Sequence, residues 1–220
     1  MPAAEIETKL LRGKSPSAQL QAEIAISRQR LAACGGKPPL LATVLVGDNA
    51  AARAYRSSIE RSFGRVELAH RAVELPTTTS GSRLIETLDS LNNDPAITGI
   101  LMLMPLPDHL DPHIVLEHLS PLKDVDGITP TNAGRLHLGL PSLRPSTPQG
   151  GLELIDHYGI ELQGTRVTVI GRSNVVGRPL ATLFTQRHAT VTLCHRKTRD
   201  LTAEVRRAEV VCVAAGHPGL

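Results

Sequence analysis

The stretch RVTVIGRSNVVGRP, residues 166–179, decides the fold. Its first five residues are rich in branched apolar side chains and too few for a helix, so they predict a buried strand. Gly171 and Gly177 then bracket a turn, and Pro179 stands where the first turn of a helix accepts proline. A strand, a glycine turn and a helix in that order form a βα unit. Its backbone is free to approach an anion, and the positive end of the helix lies behind it. The spacing is not G-x-G-x-x-G, so a plain tight connection is the competing explanation.

The residues at the end of the next strand bear on that choice. TVTLC (190–194) predicts the strand, and His195, Arg196, Lys197 and Thr198 follow it. Folds that bind NAD usually carry a carboxylate about 20 residues past the glycines, where it accepts from the ribose hydroxyls. No carboxylate stands here. Arg196 and Lys197, with Arg172 from the first turn, offer positive charge suited to a 2′-phosphate, so NADP is favoured over NAD. The candidate cofactor residues are Gly171, Arg172, Ser173, Val176 and Gly177 on the turn, and His195, Arg196, Lys197 and Thr198 after the strand. A solvated basic loop is the bland alternative.

Upstream the same alternation recurs. A helical period covers 18–34, an apolar run 40–47, then helix 49–64, strand 66–75, helix 80–93, strand 97–104 and helix 113–119. Residues 121–150 break the rhythm with Pro, Gly and Ser, and read as a linker. Helix 150–158 precedes the decisive strand, and helix 178–187, helix 200–207 and strand 209–215 follow it. Strands alternating with helices predict an α/β protein with parallel sheets covered on both faces. The expected domains are 1–143 and 144–220.

Composition excludes several classes. The 220 residues are 41% hydrophobic, enough for a full core, and the net charge of +3 is spread without a basic block, against nucleic-acid binding. Cys34, Cys194 and Cys212 are far apart and lack metal-ligand spacing, which predicts reduced thiols in a cytoplasmic protein and no metal site. The longest apolar run, GILMLMPLP, is too short to span a bilayer, so no membrane association is expected.

Three motifs in the first half sit at predicted element ends. MPLPDHL (104–110) leaves a buried strand, KDVDGITP (123–130) carries Asp124 and Asp126 in a loop, and AYRSSIERSF (54–63) places Tyr55 on a helix. Each has a bland explanation: chain direction fixed by proline, solvated turn carboxylates, and an aromatic core filler.

Taken in order, VGDNAAARAY, DVDGITPTNAGRL, RPSTPQG, VIGRSNVVGRP and ATVTLCHRKT resemble the bifunctional methylenetetrahydrofolate dehydrogenase/cyclohydrolase family, over nearly the whole chain. The resemblance implies an N-terminal α/β folate-binding domain, a C-terminal Rossmann-like NADP-binding domain and a homodimer. It also implies NADP-dependent oxidation of methylene-tetrahydrofolate to the methenyl form, followed by hydrolysis to formyl-tetrahydrofolate. Tyr55 and Asp126 match family catalytic positions, Asp126 as the hydrogen-bond partner of the pterin. Four residues after the tyrosine the family carries a lysine, and before its Pro-Leu-Pro segment a glutamine. This chain has Ile59 and Leu103 there.

The expectation is therefore a dehydrogenase whose cyclohydrolase step is weak or lost. The alternatives are a non-catalytic folate- and NADP-binding paralogue acting as regulator or dimer partner, and an altered one-carbon carrier as substrate. Because the chain stops at AAGHPGL, where the family continues with a further strand, a glycine-rich loop and a helix, a C-terminally truncated member with an incomplete second domain is also expected.

Overall fold

The computed structural model describes residues 10–216. A 20-residue helix, α1 (Lys14–Ala33), leads into β1 (Leu40–Val46), α2 (Ala50–Arg65), β2 (Ala69–Leu75), α3 (Gly81–Asn93), β3 (Gly99–Met102) and α4 (Pro112–Glu117). β1 is the middle strand of a parallel sheet in the order β2-β1-β3. Its residues are buried on both faces, as a central parallel strand requires. Alternate side chains serve two cores. Ala42, Val44 and Val46 join Leu84, Leu88, Ile100 and Met102 on the α3–α4 side, while Leu41 and Leu45 join Ala52, Leu101 and Leu103 on the α2 side.

After α4 come α5 (Pro130–His137), α6 (Ser146–His157), β4 (Arg166–Ile170), α7 (Gly177–Gln186), β5 (Thr190–Cys194), α8 (Leu201–Arg207) and β6 (Val210–Val213). The second sheet is also parallel and repeats the arrangement, β5-β4-β6, with the first strand central. Its core gathers Val167, Val169, Leu180, Leu183 and Phe184 with Leu152 and Ile155 of α6. What was expected to be an incomplete nucleotide domain is thus a formed α/β layer with its own core.

The helix starts are written in the chain. Asn49, Ser80, Asp111, Thr129 and Asp200 each accept from an amide in the first turn of the helix that follows. The segment read as a linker differs most from expectation, because it holds all of α5 and the start of α6. Thr129 followed by Pro130 is a cap-and-first-turn signature that marks α5. Asp124 holds the segment together. Its side chain is fully buried, Oδ1 accepts from Ile128 N, and Oδ2 accepts from Thr129 N and Asn132 Nδ2. The cost of burying a carboxylate is offset by these three donors.

Candidate functional site

Ligands of parallel α/β sheets bind beyond the carboxyl ends of the strands. At that end of the second sheet, Ile170 of β4 and Cys194 of β5 are in register, and Gly171 N donates to Cys194 O at 2.9 Å. The glycine turn and the His195–Thr198 turn therefore lie side by side. Arg172, Arg196 and Lys197 are exposed, so three cationic side chains crown adjacent strand ends. The second turn is tightly built: His195 N donates to Thr198 Oγ1 at 2.9 Å, and Lys197 N donates to His195 Nδ1 at 3.1 Å. With Nδ1 accepting, the neutral imidazole carries its proton on Nε2 and keeps a donor for an anion.

Both glycines are required by close approach. Gly171 has φ +118°, and a β-carbon there would meet the Ala214 carbonyl; one on Gly177 would run into the Gly171 carbonyl. The turn differs from expectation in one respect. The amides of Val176 and Gly177 donate to Ser173 Oγ at 3.1 and 3.3 Å, and Arg178 N donates to Ser173 O. These donors at the start of α7 are satisfied inside the turn, which shifts anion recognition towards the cationic side chains. The residues fit a dinucleotide with an extra phosphate: a tight turn bracketed by Gly171 and Gly177 lies beside three exposed cationic side chains.

At the carboxyl end of the first sheet, the segment 123–125 runs beside β3. An isolated parallel bridge joins Ile100 to Asp124, and Val125 N donates to Ile100 O at 3.3 Å. Asp126 follows this segment, and Leu103 follows β3 with its amide donating to Val44 O at 2.9 Å. On α2, Asn49 fixes the first turn by accepting from Ala52 N at 3.0 Å. Tyr55 stands one turn further on, 48% exposed, and Ile59 lies four residues beyond it.

The structure brings Ile59 and Leu103 into one apolar cluster. Leu103 is 2% exposed, and Ile59 and Val125 pack against the same group. Below α2 one polar pair interrupts this layer. Thr43, fully buried on β1, shares a 2.9 Å hydrogen bond with His70 Nε2 on β2. Loss of water holds the imidazole below its ordinary range; Glu60 opposes this and Arg56 adds to it.

Asp126 is partly buried, and its Oδ1 accepts from both Ser146 N at 3.0 Å and Ser146 Oγ at 2.8 Å. Sequence reasoning missed Ser146 and the structural role of Asp124. The DVDG spacing held a signal for the latter, since an aspartate ahead of a Thr-Pro helix start is well placed to collect amides. A cleft of about 670 Å³ opens between the two sheet units, lined by Met104, Ile128, Leu136, Asn174 and Arg178 among others. It touches Met104 and Gly127, the neighbours of Leu103 and Asp126, but belongs to the α3–α4 side of the first sheet, with Leu106 and Leu116. Among the described residues, no group of His, Cys, Asp or Glu is arranged to hold a metal, and no helix is long and apolar enough to cross a membrane.

Two parallel α/β units, one ending in a glycine turn beside a cationic cluster and the other in a carboxylate-braced loop, define the two-domain dehydrogenase class. Residues 11–126 match the catalytic domain of tetrahydrofolate dehydrogenase/cyclohydrolase, and residues 145–220 match its NAD(P)-binding domain. The bifunctional protein FolD of Chloroflexus aurantiacus is 45% identical over 98% of this chain and 75% of its own length. The crystal structure of the bifunctional FolD from Campylobacter jejuni superposes with TM-score 0.91 at 39% identity, covering 94% of this chain and 74% of that one. FolD from Trypanosoma brucei, solved with NADP cofactor and an inhibitor, gives TM-score 0.85 at 32% identity, over 94% and 70%.

This chain belongs to the tetrahydrofolate dehydrogenase/cyclohydrolase family. The match of the NAD(P)-binding domain across 145–220 corrects the expectation of a truncated member with an incomplete second domain: both domains are present.

Proposed function

We propose that this protein interconverts one-carbon forms of tetrahydrofolate as an NADP-dependent 5,10-methylenetetrahydrofolate dehydrogenase, with the cyclohydrolase step to 10-formyltetrahydrofolate weak or lost. The observation that carries the second half of this reading is the shared apolar cluster of Ile59 and Leu103. Hydride transfer requires that the folate carbon be held against the nicotinamide, which is a matter of orientation. Hydrolysis requires an activated water and a proton path. Two aliphatic side chains packed among Leu41, Leu45 and Leu101 supply neither.

NADP, when bound, supplies the hydride acceptor. The residues assigned to hold it are Gly171, Arg172, Ser173, Val176 and Gly177, with His195, Arg196, Lys197 and Thr198 at the 2′-phosphate. Tyr55 orients the folate by contact with its ring, and Asp126 accepts from the pterin. Gly171 and Gly177 let the turn fold tightly against the neighbouring backbone, and the exposed cations beside it favour the phosphorylated dinucleotide. We place the domain division at 143/144, between the two matched segments. Homodimeric assembly and a cytoplasmic location complete the reading.

The test is direct. NADP and methylene-tetrahydrofolate should give NADPH absorbance, while methenyl-tetrahydrofolate should hydrolyse no faster than in buffer. Enzyme-like hydrolysis would refute the loss. The double change Ile59→Lys, Leu103→Gln should raise hydrolysis at least tenfold above buffer, since general acid–base groups contribute roughly 10²–10⁴-fold when well placed. Binding of both ligands without NADPH formation would select a non-catalytic paralogue instead.

A further inference from the structure

We propose that Ser146 is a positioning residue that fixes the carboxylate of Asp126 for the substrate. The inference rests on the assignment of Asp126 to the pterin and goes beyond it, since it names what holds that carboxylate and ties it to the second domain.

The backbone of Asp126 is already held on both sides. Asp124 precedes it, locked by three donors, and Gly127 follows it at φ +57°, packed so closely on the Leu143 carbonyl that a β-carbon would not fit. What remains free is the side chain itself, with two rotatable bonds. Ser146 removes that freedom with two donors, its amide at 3.0 Å and its hydroxyl at 2.8 Å, both directed at Oδ1. A carboxylate accepts through both oxygens. With Oδ1 taken by Ser146, Oδ2 is the oxygen presented to a heterocycle that offers N–H donors along one edge.

The contact also serves α6. The residue before this helix is Pro145, which makes no side-chain cap, so Asp126 supplies from a distance the acceptor that the first amide of the helix lacks. One carboxylate is thereby shared between the substrate position of the first domain and the helix that leads into the second. Ser146→Ala deletes the hydroxyl bond and keeps the amide bond, so the fold is retained while the side chain of Asp126 is loosened.

The experiment measures tetrahydrofolate and NADP dissociation constants by calorimetry, with melting temperature, for Ser146→Ala, Ser146→Thr, Asp126→Ala and the double variant. Ser146→Ala should weaken tetrahydrofolate binding about three- to tenfold, the worth of one hydrogen bond, and leave NADP affinity unchanged. Ser146→Thr should restore the wild-type value. In the Asp126→Ala background, Ser146→Ala should have no further effect on tetrahydrofolate. If Asp126→Ala weakens tetrahydrofolate and Ser146→Ala does not, the positioning role is overturned while the assignment of Asp126 stands. If Asp126→Ala leaves tetrahydrofolate binding intact, the assignment itself fails and takes this inference with it. Parallel losses for both ligands and in melting temperature would make Ser146 merely structural and overturn the proposal. Should Asp126→Ala not fold, Asp126→Asn, which keeps one acceptor, replaces it with the same expectations for tetrahydrofolate alone.

Discussion

His70 is a polar residue on the packed underside of α2, tied to the buried Thr43 hydroxyl. Because desolvation lowers its pKa from 6.5 in the folded chain, the unfolded chain takes up the proton first as pH falls. The group is neutral in both states well above its ordinary pKa and contributes no pH dependence there. Stability falls as pH drops below the ordinary value of 6.5, where the unfolded imidazole gains the proton before the folded one does. His70→Asn keeps a partner for Thr43 and removes the titration. Urea unfolding at a series of pH values from 8 to 5 should therefore show a shallower acid decline in the variant than in the wild type; equal slopes would contradict the assignment. Ile59 and Leu103 teach the complementary lesson. Their identity was legible in the sequence, but their membership in one cluster required the register of β1 and β3 and the facing of α2.

Among the elements, α5 shows how a single buried acid organises a segment that looks irregular. Asp124→Ala would strip acceptors from Ile128 N, Thr129 N and Asn132 Nδ2 at a site closed to water. Leaving a buried donor unpaired costs about 1–3 kcal/mol, and Thr129 N is the fully buried donor left with no other acceptor, so the variant should lose about 1–3 kcal/mol. Chemical denaturation would measure it, and a loss below about 1 kcal/mol would mean that the cage is not a stabilising unit. Most regular elements were legible. Predicted strands 166–170 and 190–194 match the observed bounds, and most helices lie within a few residues of expectation. The linker was misread because proline and glycine density hides a short helix whose stability comes from its cap, its leucine and Asp124 rather than from a long periodic face. For the site, the glycine turn and the basic strand end announce themselves by composition. Ser146 does not, because its partner lies 20 residues away and nothing local points from one to the other.

At the scale of the molecule, two sheets with the same strand order and separate cores make two units. Phe184 is fully buried at the centre of the second core. Phe184→Ala should cost about 3–5 kcal/mol and fall on the second unit, so that calorimetry resolves an earlier transition that NADP shifts upward. A single unshifted transition would show the two units to melt as one. The units are nonetheless stitched across the proposed division. Leu136 of α5 is 4% exposed within the second core, and Gln186 Nε2 of α7 donates to its carbonyl at 2.6 Å. Anyone excising the nucleotide-binding half at residue 144 would therefore discard a plug from its interior, leaving a hole beside α7 and an amide with no acceptor. A cut ahead of Thr129 would take the plug along, together with the cap that keeps its helix wound.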